Sequence, residues 1–201
     1  MTQPAPLRPF RPNPQETLRH LRQLPGLKQA LAAPLPAGRL QCSLFAPGLP
    51  LGVLTHLSGP RRTEAMLTVL AEHRGLRAAW VEERITAYPP ALERRGVDLR
   101  QLLFVEARRD FFWALTQVVR SQLFKVVLVA SSLREEGVSL RQLQLASEQA
   151  GCAVLLTGDI EGPAWAVRLW LATESGGGGL SLRQRRDPLD SAGDDAVRVV
   201  A

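Results

Sequence analysis

The chain has 201 residues, 45% hydrophobic and 22% charged, with a formal net charge of +6. That suffices for one α/β domain with a sizeable core and short terminal additions. No apolar run reaches the ~18 residues of a membrane span, and the cysteines (Cys42, Cys152) and histidines (His20, His56, His73) are too widely spaced for a metal-ligand set.

The proline-rich start lacks the apolar stretch of a signal peptide, so a cytoplasmic protein with two buried, reduced thiols is expected. The positive charge comes mostly from arginines spread along the chain. It fits a nucleic acid or an acidic protein partner, and equally an arginine-rich composition with no dedicated groove.

Residues 1–12 carry Pro4, Pro6, Pro9 and Pro12, which predicts an extended or disordered arm. Asn13, Pro14 and Glu16 form a helix start, followed by Leu18, Leu21 and Leu24 at roughly helical spacing. This arm holds Arg8, Arg11, Arg19, Arg22 and Lys28 against the single acid Glu16. It reads either as a contact for an acidic surface or as a solvated helix face. Residues 34–38 read as a linker, Leu40 to Phe45 as a short strand, and Pro47, Gly48 and Pro50 as turns.

Val53 to Leu57 reads as the first core strand. A helix opened by Thr63 or a neighbour then runs to about His73, with Gly75 as its C-cap. Between strand and helix lies the place for a nucleotide-binding loop, G-x-x-x-x-G-K-[ST]. Only its first glycine, Gly59, is present. Glu64 stands at the second glycine, Ala65 at the phosphate lysine and Met66 at the magnesium hydroxyl.

Ala78 to Val81 predicts the next strand, and Pro89 and Pro90 open a helix that ends at Gly96. Leu102 to Val105 is a strand, and Asp110 caps a helix carrying Phe112, Leu115, Val118 and Val119. Lys125 to Ala130 is the strongest strand signal. Ser139 caps a helix through Ala150 with Leu140, Leu143 and Ala146 inward. Ala153 to Thr157 and Ala166 to Ala172 are the last core strands. Strands alternating with helices demand a mostly parallel sheet covered on both faces. Gly176 to Gly179 reads as flexible. Beyond it, Leu180 to Arg186 and Ala196 to Val200 either pair as edge strands or belong to a partly disordered tail.

In order and spacing, residues 42–173 resemble the RecA-like ATPase core. The carriers are Gly48 to Pro60 before the loop, Ala79 to Glu82 after its helix, and Leu92 to Leu103, whose Gly96-Val97-Asp98 precedes paired leucines. Val126 to Ser131 resembles the Walker B strand, and Gly151 to Asp159 resembles the sensor strand. The resemblance implies a RecA-like P-loop NTPase fold, α/β, with a degenerate nucleotide site. Ala130 replaces the magnesium-orienting aspartate, Arg84 with Glu83 beside it falls at the catalytic glutamate, and Gly158-Asp159 replaces asparagine–glutamine. A carboxylate ~4 Å from a phosphate costs about 4 kcal/mol per charge pair at an effective dielectric near 20. Glu64 would add that repulsion while Ala65 removes the cation.

Such a chain resembles the ImuA family, RecA-related accessories of the bacterial mutagenesis cassette. That implies a non-enzymatic role in DNA-damage-induced (SOS) translesion synthesis, without metal or cofactor. The implied partners are RecA, ImuB and an error-prone, alpha-type DNA polymerase subunit, with a weak nucleic-acid contact through the basic arm. Two alternatives stand beside it: a SulA-like cell-division inhibitor and a non-specific DNA-binding module. The implied organisation is a basic arm (1–38), a RecA-like core (39–174) and a glycine-rich flexible or edge-strand tail (175–201).

Smaller features carry less. Arg61 and Arg62 read as solvated loop arginines or an anion contact at a helix N-terminus. Glu82-Glu83 reads as a solvated charge pair or a divalent-ion ligand, and Ser131-Ser132 as helix capping. The loops at 131–138 and 159–164, where RecA binds DNA, are short. They lack the aromatics interleaved with basic residues that single strands stack on. Trp113, Trp165 and Trp170 read as core residues or, if exposed, as protein-contact anchors.

Overall fold

The computed structural model describes residues 38–134, 138–161, 166–176 and 179–185. The N-terminal arm and its helix, Trp165, Arg186 and the segment from Ala196 to Val200 lie outside the described residues.

Arg39–Cys42 (β1) and Phe45–Pro50 (β2) form an antiparallel hairpin, with Leu40 opposite Leu49. The single strand expected over Leu40 to Phe45 is therefore two strands joined at Ser43 and Leu44. Pro47, Gly48 and Pro50, expected in turns, lie inside β2. A strand in a two-stranded ladder tolerates proline, because donors on its open side need no partner. Arg39 Nη1 fixes this stretch by donating to the carbonyls of Pro47 (3.0 Å) and Gly48 (3.2 Å).

The main sheet has seven strands. Val53–Ser58 (β3) leads into Arg62–Glu72 (α1), and Ala78–Glu82 (β4) into the short Pro89–Arg94 (α2). A 3-10 turn at Leu99–Gln101 precedes Leu102–Glu106 (β5), and Phe111–Arg120 (α3) follows it. Val126–Val129 (β6), the two-residue Leu133–Arg134 (β7) and Val138–Ala150 (α4) come next. Ala153–Leu156 (β8), Ile160–Glu161 (β9), Leu169–Gly176 (β10) and Gly179–Gln184 (β11) complete the chain. The sheet order is β11-β10-β3-β8-β6-β4-β5, parallel except for the antiparallel β10–β11 pair.

Parallel strands covered on both faces read as unbroken apolar runs, and all four residues of β6 and of β8 are buried. One face presents Leu54, Ala79, Val81, Val127, Val129, Val154 and Leu156 to α3 and α4, which supply Phe111, Leu115, Leu140 and Leu143. Each such leucine contributes about 1.5–3 kcal/mol on burial. Right-handed crossovers require α1 and α2 on the opposite face. Leu70 of α1 indeed lines one groove with Ala78 of β4 and Leu102 of β5.

Several local expectations are corrected. His73, not Gly75, closes α1, because its N–H returns to Leu70 O at 3.1 Å. Asp110 occupies the N-cap of α3 without a side-chain cap bond. α4 begins at Val138, so Ser139 is already helical. β10 starts at Leu169 rather than Ala166, where its ladder with Thr55 begins. Of the two readings offered beyond the glycine run, the edge strand holds for Leu180 to Gln184, and Gly176 pairs with Gly179; residues 177–178 lie outside the described residues. Trp113, opposite the buried Phe111 and Leu115 on α3, is 66% exposed rather than in the core. Cys42 and Cys152 are free and buried. Among the described residues no helix is long and apolar enough to cross a membrane.

Candidate functional site

In an open α/β sheet the place for a ligand is the crevice beyond the carboxyl ends of the strands. Here that edge carries the β3–α1 loop, the segments after β4 and β5, and those after β6 and β8.

The β3–α1 loop is three residues long. Gly59 has φ +93°, and a Cβ there would meet Thr173 Oγ1 at 2.6 Å. Thr173 on β10 is buried; its hydroxyl bridges the carbonyls of Ser58 and Pro60. Arg61 adopts φ 63° at the N-cap, and α1 starts at Arg62. Ala65 N–H already donates to Arg61 O at 3.0 Å.

This early start decides where the P-loop-aligned residues go. Gly59 stays in the loop. Ala65 and Met66 are fully buried under α1 and face the core, not the crevice. Glu64 is clamped by Arg61 (2.7 Å) and by Arg95 from beyond α2 (2.8 Å). Arg61 and then Arg95 push its carboxyl down to about 2. Ala130 sits at the end of β6, two strands from β3 because β8 lies between them. The structure thus gathers Gly59 and Ala130 at one sheet edge but places Ala65 and Met66 elsewhere. Arg61 and Arg62 are both exposed, as a solvated pair would be, and Arg61 is in addition paired with Glu64.

The expectation of a solvated Glu82-Glu83 pair is half wrong. Glu82 is 3% exposed. Its carboxylate accepts from Thr86 N–H (2.6 Å) and Thr86 Oγ1 (3.0 Å), an internal cap of the loop after β4. Glu83 is exposed, and its N–H donates to Ser131 Oγ at 2.9 Å. Ser131 therefore joins the ends of β6 and β4. Glu106, opposite Glu82, accepts from Ile85 N–H (3.2 Å) and pairs with Arg108 (2.8 Å). Ile85 first and Arg108 after it hold the Glu106 carboxyl below the usual range.

The segments after β6 and β8 are bound to each other. Leu133 pairs with Ile160 and Arg134 with Glu161 as β7 and β9, and Leu133 N–H donates to Asp159 O at 2.8 Å. Thr157 N–H reaches Val129 O at 3.0 Å. His56 Nε2 meets Gly158 O at 3.1 Å, while its Nδ1 is buried without a partner. Trp170 faces His56 with an unpartnered Nε1. Among the described residues no three His, Cys, Asp or Glu side chains converge to hold a metal ion.

The residues that shape this edge and escaped sequence reasoning are Thr173 and Thr86. No local motif marks them: Thr173 acts on backbone carbonyls distant in sequence, and Thr86 on the carboxylate of Glu82, which read as solvated. No protein-family model matches the chain, and no curated protein matches it significantly.

Proposed function

We propose that the chain is a non-catalytic, RecA-like accessory protein of the ImuA type, which acts in mutagenic translesion synthesis by binding RecA and ImuB. The observation that carries this reading is the packing of α1. Phosphate binding in such a fold needs a glycine-lined loop, a lysine and a magnesium ligand at the helix start. Here the loop is three residues long, and the lysine and hydroxyl positions are Ala65 and Met66, both fully buried. Thr173 ties down the loop carbonyls, and Arg61 with Arg95 neutralises Glu64. A sheet kept intact around such an edge fits a binding surface better than a catalyst.

Two measurements test the reading. Calorimetry with magnesium and ATP is expected to show no binding; tight, magnesium-dependent uptake would sink the non-catalytic assignment. Pull-down with RecA and ImuB is expected to capture the folded full chain, and failure of both captures rejects the partner assignment.

A further inference from the structure

At the amino edge of the sheet, opposite the crevice, Arg77 stands just before β4 and Lys125 just before β6. Lys125 N–H donates to Arg77 O at 3.0 Å, so the two cations sit on directly neighbouring segments, in strands ~4.8 Å apart. Arg120 ends α3 at the same edge. All three are exposed, and none pairs with a carboxylate among the described residues. Residues 99–105 and 111–134, which build this part of the molecule, contain no Asp or Glu. Three acids at this end are held elsewhere: Asp98 by Arg100 (3.0 Å), Glu148 by Gln144 (2.9 Å) and Glu72 by the Ser43 N–H (3.1 Å). Like charges kept so close repel one another, and an anion laid across them removes that repulsion.

Uncovered apolar side chains lie among these cations. Leu123, between Arg120 and Lys125 in sequence, is 57% exposed, and its N–H is fixed on Ser121 Oγ at 3.3 Å. Leu103 is 47% exposed. It pairs with Ala79, which packs into the core under α3 and α4, so Leu103 opens on that same face. Trp113 stands seven residues before Arg120 on the outward stripe of α3, ~10.5 Å along the helix axis.

We propose that this face docks an acidic segment of a partner protein. Its carboxylates meet Arg77, Arg120 and Lys125, and its apolar side chains cover Leu103 and Leu123. This docking role rests on the proposed protein-binding function and adds the partner's chemistry. Charge selects an anion, because three unpaired cations share a stretch free of acids. The leucines select a protein over a nucleic acid. A phosphodiester chain has no aliphatic group to cover them, and stacking of bases needs several aromatic faces, of which this surface exposes Trp113 alone among the described residues. Tryptophan and arginine are also the types that dominate protein-interface anchors.

Fluorescence anisotropy of the full chain with a labelled peptide of glutamate, leucine and phenylalanine is expected to show saturable binding that weakens as salt rises. The same peptide with glutamine for glutamate binds far less, and so does polyglutamate. Arg77→Gln with Lys125→Gln weakens the peptide about fivefold or more. Leu123→Ser, a neutral change at an exposed site, weakens it as well, with an unchanged melting temperature. Absence of peptide binding overturns the proposal, as does polyglutamate bound equally well or affinity indifferent to both variants. A single-stranded oligonucleotide bound in preference to the peptide makes the face a nucleic-acid surface and overturns it too. The peptide assay uses neither RecA nor ImuB, so its failure leaves their capture as the separate test of the proposed function.

Discussion

The ring of His56 lies 4.7 Å from that of Trp170, tilted by 55°, at the level where β3 and β10 pair residue for residue. Burial, the largest influence, lowers the His56 pKa from 6.5 despite the Gly158 carbonyl on Nε2. A proton on Nδ1 would be buried with no acceptor. The folded pKa lies below the unfolded one, so the unfolded chain binds more protons below about pH 6.5. The stabilisation is therefore complete above pH 6.5 and is lost as pH falls through the interval below it. The melting temperature is expected to drop over that interval, and His56→Gln to flatten the drop. Glu64, Glu106 and Asp98 have depressed pKa values and act only further down, below about 4.5. A melting curve flat between neutral pH and 5 would contradict this placement of His56.

Gly59 and Gly158 are expected to resist substitution for different reasons. Gly59→Ala puts a side chain at φ +93° and against Thr173, at a cost of about 2 kcal/mol or more. At Gly158 the φ is unremarkable, but a Cβ would overlap the Ser131 carbonyl. Gly158→Ala must push apart the segments after β6 and β8. Chemical denaturation should rank Gly158→Ala as the more destabilising of the two. The reverse order would mean that the Ser131 segment yields easily.

Much of the sheet is legible in the sequence because its strands are buried on both faces. Val126 to Val129 and Ala153 to Leu156 are unbroken apolar runs, and such runs have few alternatives. Helix α4 is legible through Leu140, Leu143 and Ala146, all buried. The hairpin is not, because Pro47, Gly48 and Pro50 signal turns unless the open ladder side is known. The candidate site was half legible. Spacing located the loop at Gly59 and the helix start near Thr63, but not that α1, opened by the left-handed Arg61, carries Ala65 and Met66 into the core. Buried polar residues were least legible: Thr173 and Gln144 serve backbone groups far away in sequence, and Glu82 caps its own loop at Thr86.

Gln144 makes that last point quantitative. It is fully buried on α4, where a helical pattern marks a polar residue as outward. Its Oε1 accepts from Leu54 N–H at 2.9 Å, and its Nε2 donates to Gly52 O at 2.9 Å. It thereby stands in for a ladder partner at the start of β3. Gln144→Leu keeps the volume and strands both backbone groups, at roughly 1–3 kcal/mol each. Urea unfolding is expected to show a loss of about 2–5 kcal/mol with an unchanged slope. A loss under about 0.5 kcal/mol, ordinary for a surface change, would show that water replaces the side chain.

Trp113 separates the binding role from the folding role. It projects from the first turn of α3 on the side away from Phe111 and Leu115, and is 66% exposed. Its removal leaves no cavity, so Trp113→Ala should change stability by no more than about 0.5 kcal/mol. Exposed tryptophan is the residue type most enriched among interface anchors, where truncation costs about 2 kcal/mol or more. That corresponds to roughly 30-fold weaker binding. If the chain works through protein contacts as proposed, Trp113→Ala should weaken capture of RecA or ImuB by that factor while the melting temperature stays put. Undiminished capture would move the contact to another face. A large fall in melting temperature would show that Trp113 packs against a part of the chain beyond the described residues.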